Sequence, residues 1–169
     1  MRVGIMSDSH DRVPAVAEFI KQFEAQGIGL VLHAGDFCAP FSLDPFENAH
    51  MSMQGVFGKN DADIESLRTR ASRGIGMELF ESPHSFDIGG KRILLAHDIA
   101  DIPERSIESH DIVVHGHLHK QEMKERGKTL IVNPGESCGW VNGVPGAAIL
   151  DLDTRSVEWL SLAGPQWKF

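Results

Sequence analysis

The chain has 169 residues, 41% of them hydrophobic, with 16 Lys and Arg against 24 Asp and Glu for a formal net charge of -8. This composition suits a single globular domain over residues 1–169 and excludes disorder and the basic surface field by which long nucleic acid is held. Two cysteines, Cys38 and Cys138, are too few for a disulfide framework, no apolar run reaches the ~18 residues of a membrane span, and no signal-peptide core follows Met6, so a soluble cytoplasmic protein is expected.

Arg2 to Met6 is a short apolar run ending in Ser7-Asp8-Ser9-His10, which predicts a buried strand that delivers polar groups at its C-terminal end. Val13, Val16, Ala17, Ile20 and Phe23 recur at helical spacing, with Pro14 in the first turn and Gly27 as the stop. A second strand, Leu30 to Leu32, runs into His33-Ala34-Gly35-Asp36. A third, Met53 to Phe57, runs into Gly58-Lys59-Asn60-Asp61 and a helical stretch from Asp61 to Arg73. Three βα units in succession imply a parallel sheet with helices on its faces.

From His84 to Ala96 the pattern becomes a hairpin turning at Gly89-Gly90, followed by His97-Asp98. A short helix is expected after Pro103, within Ile102 to Ser109. Ile112 to Val114 is a strand entering His115-Gly116-His117-Leu118-His119, Leu130 to Val132 precedes Asn133-Pro134-Gly135, and a hairpin around Asp153-Thr154 closes the chain. The class is α/β with added antiparallel strands.

Five strand ends thus carry Asp8 and His10, Asp36, Lys59-Asn60, His97, and His117 with His119. Ligands of open α/β sheets gather outside the carboxyl ends of strands, so these groups should converge. In an extended segment residues i and i+2 face one side, which would let Asp8 act with His10 and His117 with His119. A histidine closing one apolar strand is usually structural; the joint recurrence points to metal. Mixed carboxylate and imidazole donors suit Mn, Fe, Zn or Ni better than Ca or Mg, and their number suits two ions with a bridging carboxylate. His33, His50, His84, His110 and His115 are read as structural or supporting.

In that order, Asp8-Ser9-His10, Gly35-Asp36, Gly58-Lys59-Asn60-Asp61, His97 and Gly116-His117-Leu118-His119 resemble the signature of the calcineurin-like metallophosphoesterases. With Asn133-Pro134-Gly135-Glu136 and the short chain, the nearest likeness is to their small YfcE-type phosphodiesterases. The resemblance implies a four-layer αββα sandwich of two mixed β-sheets flanked by helices. It implies two divalent transition-metal ions, Mn2+ foremost with Ni2+, Fe2+ or Zn2+ as alternatives. Asp8, His10 and His119 would hold the first, His97 and His117 the second, and Asp36 would bridge. It further implies hydrolysis of small phosphodiesters or nucleotides by a metal-bridging hydroxide, with Asp36, Asn60 and His97 as catalytic residues.

One position departs from the pattern. The family places its ligand Asn directly after the glycine, where this chain has Lys59, and Asn60 comes next. An ammonium repels a cation, so three outcomes stay open: the loop shifts to offer Asn60, Lys59 points elsewhere, or the second site is weakened. A neutral lysine ligand would need a strongly lowered pKa. Asp98 stands where the family often has glycine and would add a supporting carboxylate.

Three rival readings stand beside this one. A non-catalytic scaffold with an eroded metal site, like the retromer subunit of this fold, is the alternative. A cysteine phosphatase lacks a glycine-rich, Arg-closed loop at Cys38 or Cys138, and a dinucleotide-binding module fails because Ser7 to Asp11 has no glycine. The loops Phe37 to Phe46 and Gly135 to Val144, with Trp140, are candidate pocket walls. Trp159, Leu160, Leu162 and Trp167 would cover the core or seal a homo-oligomer. The expected partner is a small phosphate-ester substrate, with no membrane.

Overall fold

In the computed structural model, which describes residues 1–168, two sheets lie face to face between helices. The first sheet contains β1 (Arg2–Met6), β2 (Leu30–His33), β3 (Ser52–Val56), β4 (Glu78–Phe80), β10 (Gly146–Asp151) and β11 (Val157–Ser161), in the order β11-β10-β1-β2-β3-β4. The second contains β5 (His84–Ile88), β6 (Lys91–Ala96), β7 (Ile112–His115), β8 (Gln121–Arg126) and β9 (Thr129–Pro134), in the order β5-β6-β7-β9-β8. Strands β1 to β4 are mutually parallel, as are β6, β7 and β9, while the remaining pairings are antiparallel. Both sheets are mixed, as the αββα expectation requires.

The period of two explains the layering. Val3, Ile5, Leu32, Val56, Ala148 and Leu150 meet Ile93, Leu95, Ile112, Val114, Leu130 and Val132 in the core between the sheets. Their neighbours Met6, Val31, Met53, Ala147 and Ile149 face the other way, onto α1 (Val13–Ala25) and α2 (Ile64–Thr69). On the far face of the second sheet, Leu94, Ala96, Val113 and Ile131 take Ile107 of α3 (Glu104–Glu108). Runs such as Ile93-Leu94-Leu95 are apolar without a break because both faces are buried. Among described residues, no helix is long and apolar enough to cross a membrane.

Several sequence expectations shift. The helix after β3 is shorter than residues 61–73 and gives way to a π turn at Arg70–Ile75. β4 and β8 were not foreseen: β4 has three residues, and β8, reading Gln-Glu-Met-Lys-Glu-Arg, is a largely exposed edge strand without apolar alternation. The turn Gly89-Gly90 has positive φ at both residues, 58° and 74°, as a primed two-residue turn demands. In the tail, Leu160, Leu162 and Trp167 pack on the core while Trp159 is 40% exposed.

Candidate metal centre

All the predicted positions sit beyond the carboxyl ends of parallel strands: Asp8 and His10 after β1, Asp36 after β2, Lys59 and Asn60 after β3, His97 after β6, His117 and His119 after β7. Strand alternation is not what makes them converge, and the i, i+2 expectation is corrected here. Asp8, His10, Asp11, Asp36, Cys38, His117 and His119 all have positive φ, between 37° and 77°. Such left-handed residues cost roughly 1 kcal/mol or more each. Arg155 apart, every non-glycine residue of this kind among those described lies in these loops. Cross-loop hydrogen bonds hold them: Asp8 N to Gly35 O at 2.9 Å, His10 N to Asp36 O at 3.0 Å, Cys138 N to Asp8 O at 3.1 Å, and Gly116 N to His97 O at 3.0 Å.

Each donor is oriented by a partner behind it. His97 Nδ1 lies 2.9 Å from Ala34 O, so that nitrogen carries the proton and the Nε2 lone pair faces the centre. His119 Nδ1 is 2.8 Å from Glu136 Oε2, with the same consequence, and His10 Nδ1 is 3.3 Å from Cys38 Sγ, a contact that orients the ring. Asp8 Oδ2 accepts from His117 N at 3.0 Å, which leaves Oδ1 inward. Asp36 Oδ1 accepts from Asn60 N at 2.8 Å and Oδ2 from Asn60 Nδ2 at 2.7 Å.

Apart from the Asn60 amide on Asp36 Oδ2, the inward atoms meet one another and not hydrogen-bond donors. Asp36 Oδ2 is 3.5 Å from His10 Nε2 and 3.4 Å from His97 Nε2, and Asp8 Oδ1 is 3.3 Å from His119 Nε2. Asp8 Oδ1, His10 Nε2 and His97 Nε2 are buried without a hydrogen-bond partner, an arrangement costing ~1–3 kcal/mol per atom unless something binds there. Asp8, His10 and His119 form one group able to hold a cation, and Asp8, Asp36 and His97 another. The donor set fits a divalent ion of the borderline class.

The electrostatics agree. Burial pushes the Asp8 carboxyl up, a cost that a cation beside it removes. Burial also acts to raise Asp36, yet the His97 ring beside it and the hydrogen bonds from Asn60 overcome it and hold Asp36 well below the usual carboxylate range. Burial lifts the Cys38 thiol to about 12 and raises Cys138 as well, so neither is a thiolate nucleophile.

Lys59 lies at the rim of the centre, paired with carboxylates. Its Nζ meets Asp98 Oδ2 at 2.5 Å and Asp101 Oδ2 at 3.8 Å, and the bond to Asp98 raises its pKa, which rules out a neutral lysine ligand. Asn60 comes to Asp36 in its stead, as a donor. His117 Nε2 faces Asp98 Oδ2 at 3.4 Å, which places the Asp98 carboxylate beside that ring.

Sequence reasoning missed Glu136 and Asp61 as organisers. Glu136, 1% exposed, accepts from His119, Val141 N and Asn142 N, and so ties the loop 135–144 to a centre histidine. Asp61 gathers Gly58 N, Asp36 N and Cys38 N. Only their place within quoted motifs signalled either one. Trp140 is half exposed, donates from Nε1 to His10 O at 3.1 Å and stacks on the Arg12 guanidinium at 4.9 Å, while a cavity of about 310 Å3 opens beside His119, Asn142 and Val144. Of the histidines read as structural or supporting, His33, His110 and His115 are buried and hydrogen-bonded within the scaffold.

Known proteins bear the same stamp. A model of the calcineurin-like phosphoesterase superfamily domain matches residues 1–155. Phosphodiesterase MJ0936 of Methanocaldococcus jannaschii is 30% identical over 165 residues, 96% of this chain and 99% of that protein. A solved archaeal phosphodiesterase, also 30% identical, aligns with a TM-score of 0.89 over 96% of this chain and 100% of its own. Vps29 of Entamoeba histolytica, solved with Zn2+, is 22% identical with a TM-score of 0.64 over 96% and 98% of the two chains, and shares the fold. With strand-end motifs, sandwich and inward donor set all in place, the chain belongs to the calcineurin-like phosphoesterase superfamily.

Proposed function

We propose that this protein is a metal-dependent phosphodiesterase acting on small phosphodiesters or nucleotides, with two divalent ions, Mn2+ foremost. Asp8, His10 and His119 would hold the first ion, His97 and His117 the second, and Asp36 would be shared. Asn60 steadies Asp36 through two hydrogen bonds, and its side-chain oxygen would be the donor it offers to the second ion. The observation that carries this reading is the convergence of three buried, unpartnered atoms, Asp8 Oδ1, His10 Nε2 and His97 Nε2, on the space beside Asp36 Oδ2.

When bound, such ions supply charge to the phosphoryl oxygens and acidify the water that attacks them. The chain's own residues fix the geometry: Ala34 O and Glu136 hold His97 and His119 in one tautomer, and Cys38 orients the His10 ring. The cavity beside His119 has the size of a small substituent on the ester, and Trp140 offers an aromatic face at the rim. A scaffold has no use for buried unpaired donors, which cost stability and serve no protein contact.

The test is hydrolysis of bis(p-nitrophenyl) phosphate by metal-stripped protein titrated with Mn2+. Turnover that rises with loading, and falls at least about a hundredfold in D36N, is the expected result. No turnover at any loading overturns the reading.

A further inference from the structure

Two ligand atoms each about 2.1 Å from one ion stand roughly 3.0–3.4 Å apart, from octahedral to tetrahedral coordination. That separation recurs here between a carboxylate oxygen and an imidazole Nε2: 3.3 Å for Asp8 and His119, and 3.4 Å for Asp36 and His97. One further pair has the same spacing at the same rim, Asp98 Oδ2 and His117 Nε2 at 3.4 Å. The His117 ring lies beside His97, with centroids 5.2 Å apart. Asp98 is 8% exposed, and its other oxygen is fixed by Ala100 N at 3.0 Å, so Oδ2 is held toward His117. A cation already sits on that oxygen, the Lys59 ammonium at 2.5 Å.

The same two positions are those where the chain departs from the family pattern. Lys59 removes an expected ligand, and Asp98 places a carboxylate at the same edge of the centre.

We infer that Asp98 is a ligand of the second metal ion, restoring the donor lost at position 59, and that Lys59 is the charge it surrenders when the ion binds. This rests on the two-ion reading above. Asp98 and His117 stand outside the preassembled donor groups, so ion binding draws the pair inward while Lys59 moves to Asp101, 3.8 Å from it at the surface. The first ion meets donors already assembled and has no cation to displace. It therefore binds more tightly than the second.

The inference gives opposite signs to two substitutions. K59M removes the competitor for Asp98, whereas D98N removes the charged ligand while keeping the side chain's size and an oxygen for Ala100 N. Mn2+ binding to the metal-stripped full-length chain is measured by calorimetry, with electron paramagnetic resonance reporting exchange coupling between paired ions. The expected result is a second ion bound on the order of tenfold more tightly in K59M and tenfold more weakly in D98N, with the first unchanged in both. A second-ion affinity unaltered by D98N, or shifted in the same direction by both variants, overturns the inference. So does a K59M chain that still takes one ion where the wild type takes one. Absence of any Mn2+ binding by the wild type defeats the phosphodiesterase reading itself, an outcome distinct from these.

Discussion

Replacing Glu136 by Gln tests the arrangement behind His119. One glutamate oxygen accepts from Asn142 N at 2.5 Å, the other from His119 Nδ1 at 2.8 Å and Cys138 Sγ at 3.4 Å, and Val141 N is shared between the two at 3.1 and 3.0 Å. Gln turns one of those acceptors into an NH2 group facing donors. If it faces the loop, Asn142 N loses its partner while Val141 N keeps the other oxygen; if it faces His119, the imidazole must move its proton to Nε2, toward Asp8, where an ion needs the lone pair. A buried donor left unpaired together with a lost charge-assisted bond costs about 3 kcal/mol. For a chain of this length that lowers the melting temperature of metal-free protein by roughly 6–12 °C. Affinity for the first ion should fall on the order of 10–100-fold. Differential scanning calorimetry on stripped protein and a Mn2+ titration measure the two effects. Melting within about 1 °C of wild type, together with unchanged first-ion affinity, would refute the reasoning. The sign with pH is also set: burial raises Glu136, but its hydrogen bonds outweigh this and depress the pKa, so its stabilisation is full above the ordinary value of 4.5 and lost as pH falls through the folded value.

Burial lowers His33 from 6.5 to about 3, so the unfolded chain takes up a proton on acidification that the folded one refuses. Stability contributed by this residue is therefore full above pH 6.5 and falls below it by ~1.4 kcal/mol per pH unit. H33Q should remove that slope from denaturant unfolding of stripped protein, and an unchanged slope between pH 6.5 and 5 would count against the burial argument. Gly58 offers a purely steric test, because a Cβ there would land on the backbone nitrogen and Oδ1 of Asp36. G58A should displace Asp36, cost on the order of 1–3 kcal/mol and weaken Mn2+ binding; wild-type ion affinity in G58A would show that the loop gives way freely.

The sequence by itself determined the elements that write themselves locally. Apolar runs closed by Asp8, Asp36, His97 and His117 are buried strands delivering site residues, Gly89-Gly90 is a primed turn, and the period of Val13 to Phe23 is a helix, because solvent exclusion and backbone sterics act within a few residues. β8 escaped because an exposed edge strand needs no apolar alternation, and β4 because three residues carry no period. The centre itself was decided in three dimensions. Asp8 and His10 meet through left-handed turns pinned by Gly35 and Asp36 from another loop, and Glu136 finds His119 across 17 positions. Lys59 finds Asp98 across 39. Which way a lysine points depends on which carboxylate the packing of two sheets brings beside it, and no local rule carries that information.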